Sequence, residues 1–131
     1  MATKMSKGVN IMSESHLQRK WVREEVVILV TEYFRTKNLS KEEIDKSYHQ
    51  ISKFLRRREE ILTGTVVSDV FRNYAGIRMQ SGRIRCLDPE TKYYGMQGTK
   101  LQKEVVEEFL QCSEMLYEEA KQIYERYRYE G

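Results

Sequence analysis

The sequence predicts an all-α domain, and three observations carry that expectation. Apolar residues recur at steps of three and four along most of the chain, the spacing that gathers them on one helical face. Proline occurs once, at Pro89, while good helix formers such as Glu, Lys, Arg and Leu are frequent. The chain has 131 residues, 40% of them hydrophobic, which suits one modest core. The expected form is a small helical domain over residues 16–131, with a helix-turn-helix-like core and a long C-terminal helix. Residues 1–15 lack periodicity and read as a flexible arm.

Taken in order, the first helix is expected from about Leu17 or Trp21 to Phe34. Trp21, Val22, Val26, Leu29, Val30 and Tyr33 form one apolar stripe. A second helix opens with Ser40 and Glu43 in a capping-box arrangement, flanked by Leu39 and Ile44. Its stripe runs through Ile44, Tyr48, Ile51 and Leu55 and ends at "RRREE". "ILTGTVVSDV" reads as an extended connection rather than a strand. Asn73 caps a helix from Tyr74 to about Cys86, which Leu87-Asp88-Pro89 closes because proline disfavours helical geometry in the residue before it. A loop with two glycines follows. Thr99 or its neighbour then opens the last helical stretch, where Val105, Phe109, Cys112, Leu116, Ala120, Ile123 and Tyr127 step by four or three. That pattern fits one long helix or two short ones broken near Gln111–Ser113.

Charge is unevenly spread although the net is only +3. Residues 53–103 hold eleven Lys/Arg against five Asp/Glu, a net of +6, and residues 104–131 hold three against eight, a net of −5. A basic middle and an acidic tail suggest two faces with different partners, although solvated helix surfaces also carry such runs. The stretch "FRNYAGIRMQSGRIRCLDP" places Arg72, Arg78, Arg83 and Arg85 before its first acid, Asp88. Arg78 and Arg85 are two turns apart and share a face with Ser81 and Tyr74. Such a face suits phosphate and base-edge contact, with Asn73 and Tyr74 at the helix entry. It equally suits a protein interface, or a core helix with solvated arginines. Gly76 and Gly82 suggest close approach of another helix. Arg56, Arg57 and Arg58 either complement the negative end of a helix dipole or bind phosphate, and Lys100 adds a further cation.

Signs of catalysis are lacking. No cluster of metal ligands gathers around His16 or His49 in the sequence, and Cys86 and Cys112 form no CxxC. Gly-rich phosphate loops, HExxH and GxSxG do not occur. The expectation is a protein that is not an enzyme and takes no cofactor or metal. No apolar run nears the roughly 18 residues of a bilayer span, and no secretory signal is read, so a cytoplasmic location without membrane contact is expected.

The chain resembles the N-terminal helical domain that precedes the nuclease domain in restriction-type HNH endonucleases of bacteria and phages. Three blocks carry the likeness over residues 21–110: Trp21, Arg23, Glu24 and Glu25; then Arg72, Asn73, Ile77, Met79 and Leu87-Asp88-Pro89; then Gly95, Gly98, Thr99, Lys100, Leu101 and Phe109. The chain departs from that pattern where Tyr74 replaces the usual proline, Arg83-Ile84 the usual Asn-Phe pair, and Ser81 and Gly82 bulky apolar residues. No nuclease part follows these blocks in the sequence. The resemblance therefore implies a targeting or docking module for double-stranded DNA without the cutting machinery. The competing expectation is a protein-binding inhibitor or adaptor, of the kind phages encode, that acts on a defence nuclease or other nucleic-acid enzyme through the acidic C-terminal helix. A nuclease accessory subunit is a third form, and self-association is compatible with all three.

Overall fold

The computed structural model describes residues 19–128, so the expected arm at residues 1–15 lies outside the described residues. Among them the chain is all helical: α1 (Arg23–Thr36), α2 (Lys41–Thr63), α3 (Tyr74–Leu87), α4 (Lys100–Gln111) and α5 (Ser113–Arg126). The other four helices all pack on α1.

That arrangement explains why α1 has more than the single expected stripe. Every residue from Glu25 to Thr31 is buried, including five consecutive aliphatics from Val26 to Val30. A helix surrounded by neighbours must be apolar nearly all round, and packing then overrides the weak helix propensity of Val and Ile. α1 starts at Arg23, later than the periodicity suggested, and Val22 at its N-cap offers no side-chain acceptor. Instead the Glu25 carboxylate reaches back and accepts from the Val22 N–H at 3.1 Å.

α2 begins as the sequence predicts, with Ser40 accepting from the Glu43 N–H at 3.2 Å. It does not stop at "RRREE". It continues to Thr63 and ends on Gly64 at φ 74°, a left-handed geometry that glycine adopts without a Cβ penalty. Arg56, Arg57 and Arg58 therefore lie before the last turn, which removes the dipole explanation for them. The segment 64–73 is a connection rather than a strand, as expected, and is held along α2, with a bend at 64–65 and a turn over 69–72. Arg56 donates to the carbonyls of Ser68 (2.9 Å) and Phe71 (2.6 Å), and the Ser52 hydroxyl donates to that of Arg72 at 2.7 Å.

The last helical stretch is two helices, not one long one. Cys112 leaves helical geometry (φ −155°, ψ 87°), although it lies within the expected apolar series. A straight helix over residues 100–126 would be about 40 Å long, against about 21 Å for α1. Both halves can reach α1 only if the chain bends. The apolar phase survives the bend: Val105, Phe109, Leu116, Ala120, Ile123 and Tyr127 are all buried. Arg23 clamps the two halves, reaching Glu108 of α4 at 2.7 Å and Glu119 of α5 at 3.0 Å.

Candidate nucleic-acid interface

The basic residues divide into a buried set and an exposed set. Arg72 is 7% exposed, and its guanidinium bonds both oxygens of the fully buried Glu25 at 2.9 and 3.0 Å. It also lies over the rings of Trp21 and Phe71, each centroid 4.5 Å away. Arg19 extends the network, bridging Glu25 (2.9 Å) and Glu59 (2.8 Å). Arg58 is likewise buried, paired with Glu24 at 2.9 Å and stacked on Tyr127. Burial pushes the Glu24 carboxyl up, but the bonds from Tyr127 and Arg58 outweigh it and hold the group below the usual carboxylate range. These two arginines are interior counter-ions, with no surface left to offer a phosphate. Arg56 is engaged by backbone carbonyls, as above, and Arg57 is half-buried on the same helix.

Arg72 is also the only described non-glycine residue with positive φ, at 46°. The ion pair and the two rings hold this left-handed turn, which delivers the chain to Asn73. The Asn73 side chain accepts from the Gly76 N–H at 2.9 Å and caps α3 as predicted. One function of the buried set is thus to aim α3.

On α3, Ile77 and Ile84 are fully buried and Ser81 nearly so, which fixes the inner face. Arg78 and Arg85 are exposed and form no ion pair among the described residues. The Arg85 guanidinium lies 4.7 Å from the Tyr93 ring centroid. Arg83 turns elsewhere, donating to the Gln97 carbonyl at 2.7 Å. Segment 88–99 folds back along the helix. Thr91 donates to the Arg85 carbonyl at 2.8 Å, and the Met96 N–H points at the Cys86 sulfur at 3.2 Å. Gly82 faces this segment rather than another helix: a Cβ there would sit 2.8 Å from the Met96 sulfur.

Between α2, α3 and segment 88–99 lies a groove of about 420 Å³. Tyr33, Tyr48, Tyr74 and Tyr93 supply aromatic walls, and Met79 and Met96 flexible apolar ones. Its only charged lining residues are Arg78 and Arg85. A second hollow of about 390 Å³ shares Tyr33, Tyr48, Ser81 and Arg85 and adds Lys37, Lys41 and the acidic Glu90, which pairs with Lys37. The Tyr74 ring stacks on His49 at 4.2 Å, and its hydroxyl bonds Asp45, which raises the phenol above its ordinary value. The Tyr33 hydroxyl donates to Asp88 at 2.8 Å. Burial foremost, then that bond, pushes Tyr33 far up, so it stays a neutral donor at physiological pH. Burial also pushes Asp88 up, but Lys37 at 2.6 Å, the Glu90 N–H and Tyr33 together hold it low.

The expected face of Tyr74, Arg78, Ser81 and Arg85 is therefore assembled in one place, whereas Arg56, Arg58, Arg72 and Arg83 are tied into the framework. Lys100 is exposed but belongs to a separate hollow with Lys20, Trp21 and Gln80. Sequence reasoning missed Tyr33, Tyr48 and Tyr93, which come from three different segments. Nine tyrosines against four phenylalanines was the available signal.

Among the described residues no group of three or more His, Cys, Asp or Glu could hold a metal ion, and no helix is long and apolar enough to cross a membrane. Comparisons of the chain with protein-family models, with curated proteins and with solved structures returned no match.

Proposed function

We propose that the chain is a non-catalytic module that binds double-stranded DNA through the exposed side of α3. One observation carries this reading: Arg78 and Arg85 stand at a tyrosine-lined groove with no acidic lining residue and no described ion-pair partner. Arg23 and Arg35 are exposed and pair with carboxylates, whereas Arg78 and Arg85 have no such partner among the described residues. Seven residues apart on one face, they suit an anionic ligand such as the phosphate backbone. The likeness to the targeting domain of HNH endonucleases supports the same reading. α3 would be the helix presented to DNA. The ten-residue connection 64–73 stands where a helix-turn-helix has a turn of about 3–4 residues, so the presentation rests on the Arg72 anchor instead.

The second reading, a protein-binding inhibitor or adaptor, draws on the tail. Glu114, Glu118 and Glu125 are exposed, and Leu110 and Met115 lie open beside them. Part of the acidic character is already taken, because Arg23 holds Glu108 and Glu119.

Anisotropy with a labelled duplex separates the two readings. Replacing Arg78 and Arg85 with Ala should abolish most of the affinity, while Glu114→Gln, Glu118→Gln and Glu125→Gln together should leave it intact or raise it. Absence of duplex binding by the wild-type chain at low salt would favour the protein-partner reading.

A further inference from the structure

A helix that reads a paired duplex needs a convex face, yet the two free arginines of α3 flank a cavity. Seven residues of helix span about 10 Å, so Arg78 and Arg85 sit at opposite ends of the opening. The floor reaches down to Tyr33 and Ser81, both buried. At about 420 Å³ the space lies within the roughly 300–1,000 Å³ of small-ligand sites. Its walls are aromatic and thioether groups, and they include rings already engaged in stacking. His49 stacks on Tyr74 with 14° between the ring planes, and Arg85 covers Tyr93. An aromatic lining and two cations at the rim complement a planar aromatic group that carries phosphate on either side.

We propose that the groove takes one unstacked nucleobase, with Arg78 and Arg85 on the flanking phosphates, so that the domain prefers DNA containing an unpaired nucleotide. This rests on the DNA reading above and specifies its ligand. The Tyr33 and Tyr74 hydroxyls are already committed to Asp88 and Asp45, and the tyrosine rings grip a base by stacking, with little choice among the four bases. Bases in an intact duplex expose only their edges, whereas a bulged or extruded base exposes both faces.

The test is anisotropy at one fixed salt concentration with two labelled duplexes, one fully paired and one carrying a single-nucleotide bulge. The wild-type chain should bind the bulged duplex about tenfold tighter, the gain of one base–aromatic stack. Tyr93→Ala should bring the ratio of the two affinities to about one. Adenosine 5′-monophosphate, followed by NMR of the tyrosine rings, should bind weakly and shift the groove tyrosines. Equal affinity for both duplexes would overturn this proposal while leaving the DNA reading standing. Failure to bind either duplex would overturn both. Binding of the mononucleotide as tight as that of the bulged duplex would assign the groove to a free nucleotide and overturn the DNA form of the proposal.

Discussion

Replacing Arg72 with Met tests the division between anchoring and ligand-facing arginines. The substitution keeps an unbranched stem between Trp21 and Phe71 but removes both bonds to Glu25. Glu25 is fully buried, and it would retain only Arg19 and the Val22 N–H. Breaking a buried pair by removing one partner costs about 3–5 kcal/mol, largely because the remaining charge stays desolvated. At 131 residues the unfolding entropy is about 0.28 kcal/mol per degree, so each kcal/mol lowers the midpoint by about 3.6 °C. A fall of about 11–18 °C in Tm is expected, measured by circular dichroism. Arg78→Met should move Tm by less than about 2 °C, since exposed changes usually stay within ±0.5 kcal/mol. Glu25→Gln combined with Arg72→Met should cost clearly less than the two single changes summed, because the double variant leaves no unpaired charge at the site. An Arg72→Met protein that melts within about 2 °C of wild type yet loses DNA affinity would refute the reasoning and return Arg72 to the binding surface.

Three further outcomes follow from the same geometry. The Asp88 and Glu24 carboxyls are held below their ordinary values, so their stabilisation is complete above the unfolded carboxylate range near pH 4 and is lost as pH falls through their lower folded values. Acid titration of stability should therefore show a steep lower limb, and Asp88→Asn should flatten it while costing about 1–3 kcal/mol at neutral pH through the partners it strands. Gly98→Ala should cost about 1–3 kcal/mol in a denaturant titration, because a Cβ there would lie 2.5 Å from a Leu87 methyl and 2.7 Å from its Cγ. Gly82→Ala should stay within about 1 kcal/mol of wild type, since the opposing Met96 sulfur can swing away and Ala favours the helix.

How far the sequence discloses this molecule depends on how local each cause is. The span of α3 was readable because Asn73 and Pro89 act on their immediate neighbours, and the structure places the helix at Tyr74–Leu87 with Asn73 as its cap. The buried phase of residues 105–127 was readable because side-chain periodicity is local. The bend at Cys112 was readable only as one of two alternatives, because no glycine or proline marks it and the packing on α1 that favours it lies far away in the chain. The arginines show the same limit. Arg72 and Arg78 look alike in composition, but only Arg72 meets Glu25, 47 residues earlier in the chain. The groove draws tyrosines from α1, α2, α3 and segment 88–99, and periodicity within one helix cannot report a surface built from four pieces. Several residues the sequence singles out, Trp21, Glu25, Arg72, Asp88 and Thr99, make framework contacts and do not line the groove.

The salt dependence of duplex binding tests the central claim most directly. Anisotropy of a labelled duplex across a series of salt concentrations gives the slope of log affinity against log salt, set by the counterions released when cations meet phosphates. The wild-type chain should show a steep negative slope. Replacing both Arg78 and Arg85 with Ala should make it shallower by about 2, one for each lost phosphate contact, at unchanged Tm. An unchanged slope in the double variant, or no binding by the wild-type chain even at low salt, would contradict the claim that this face of α3 meets DNA.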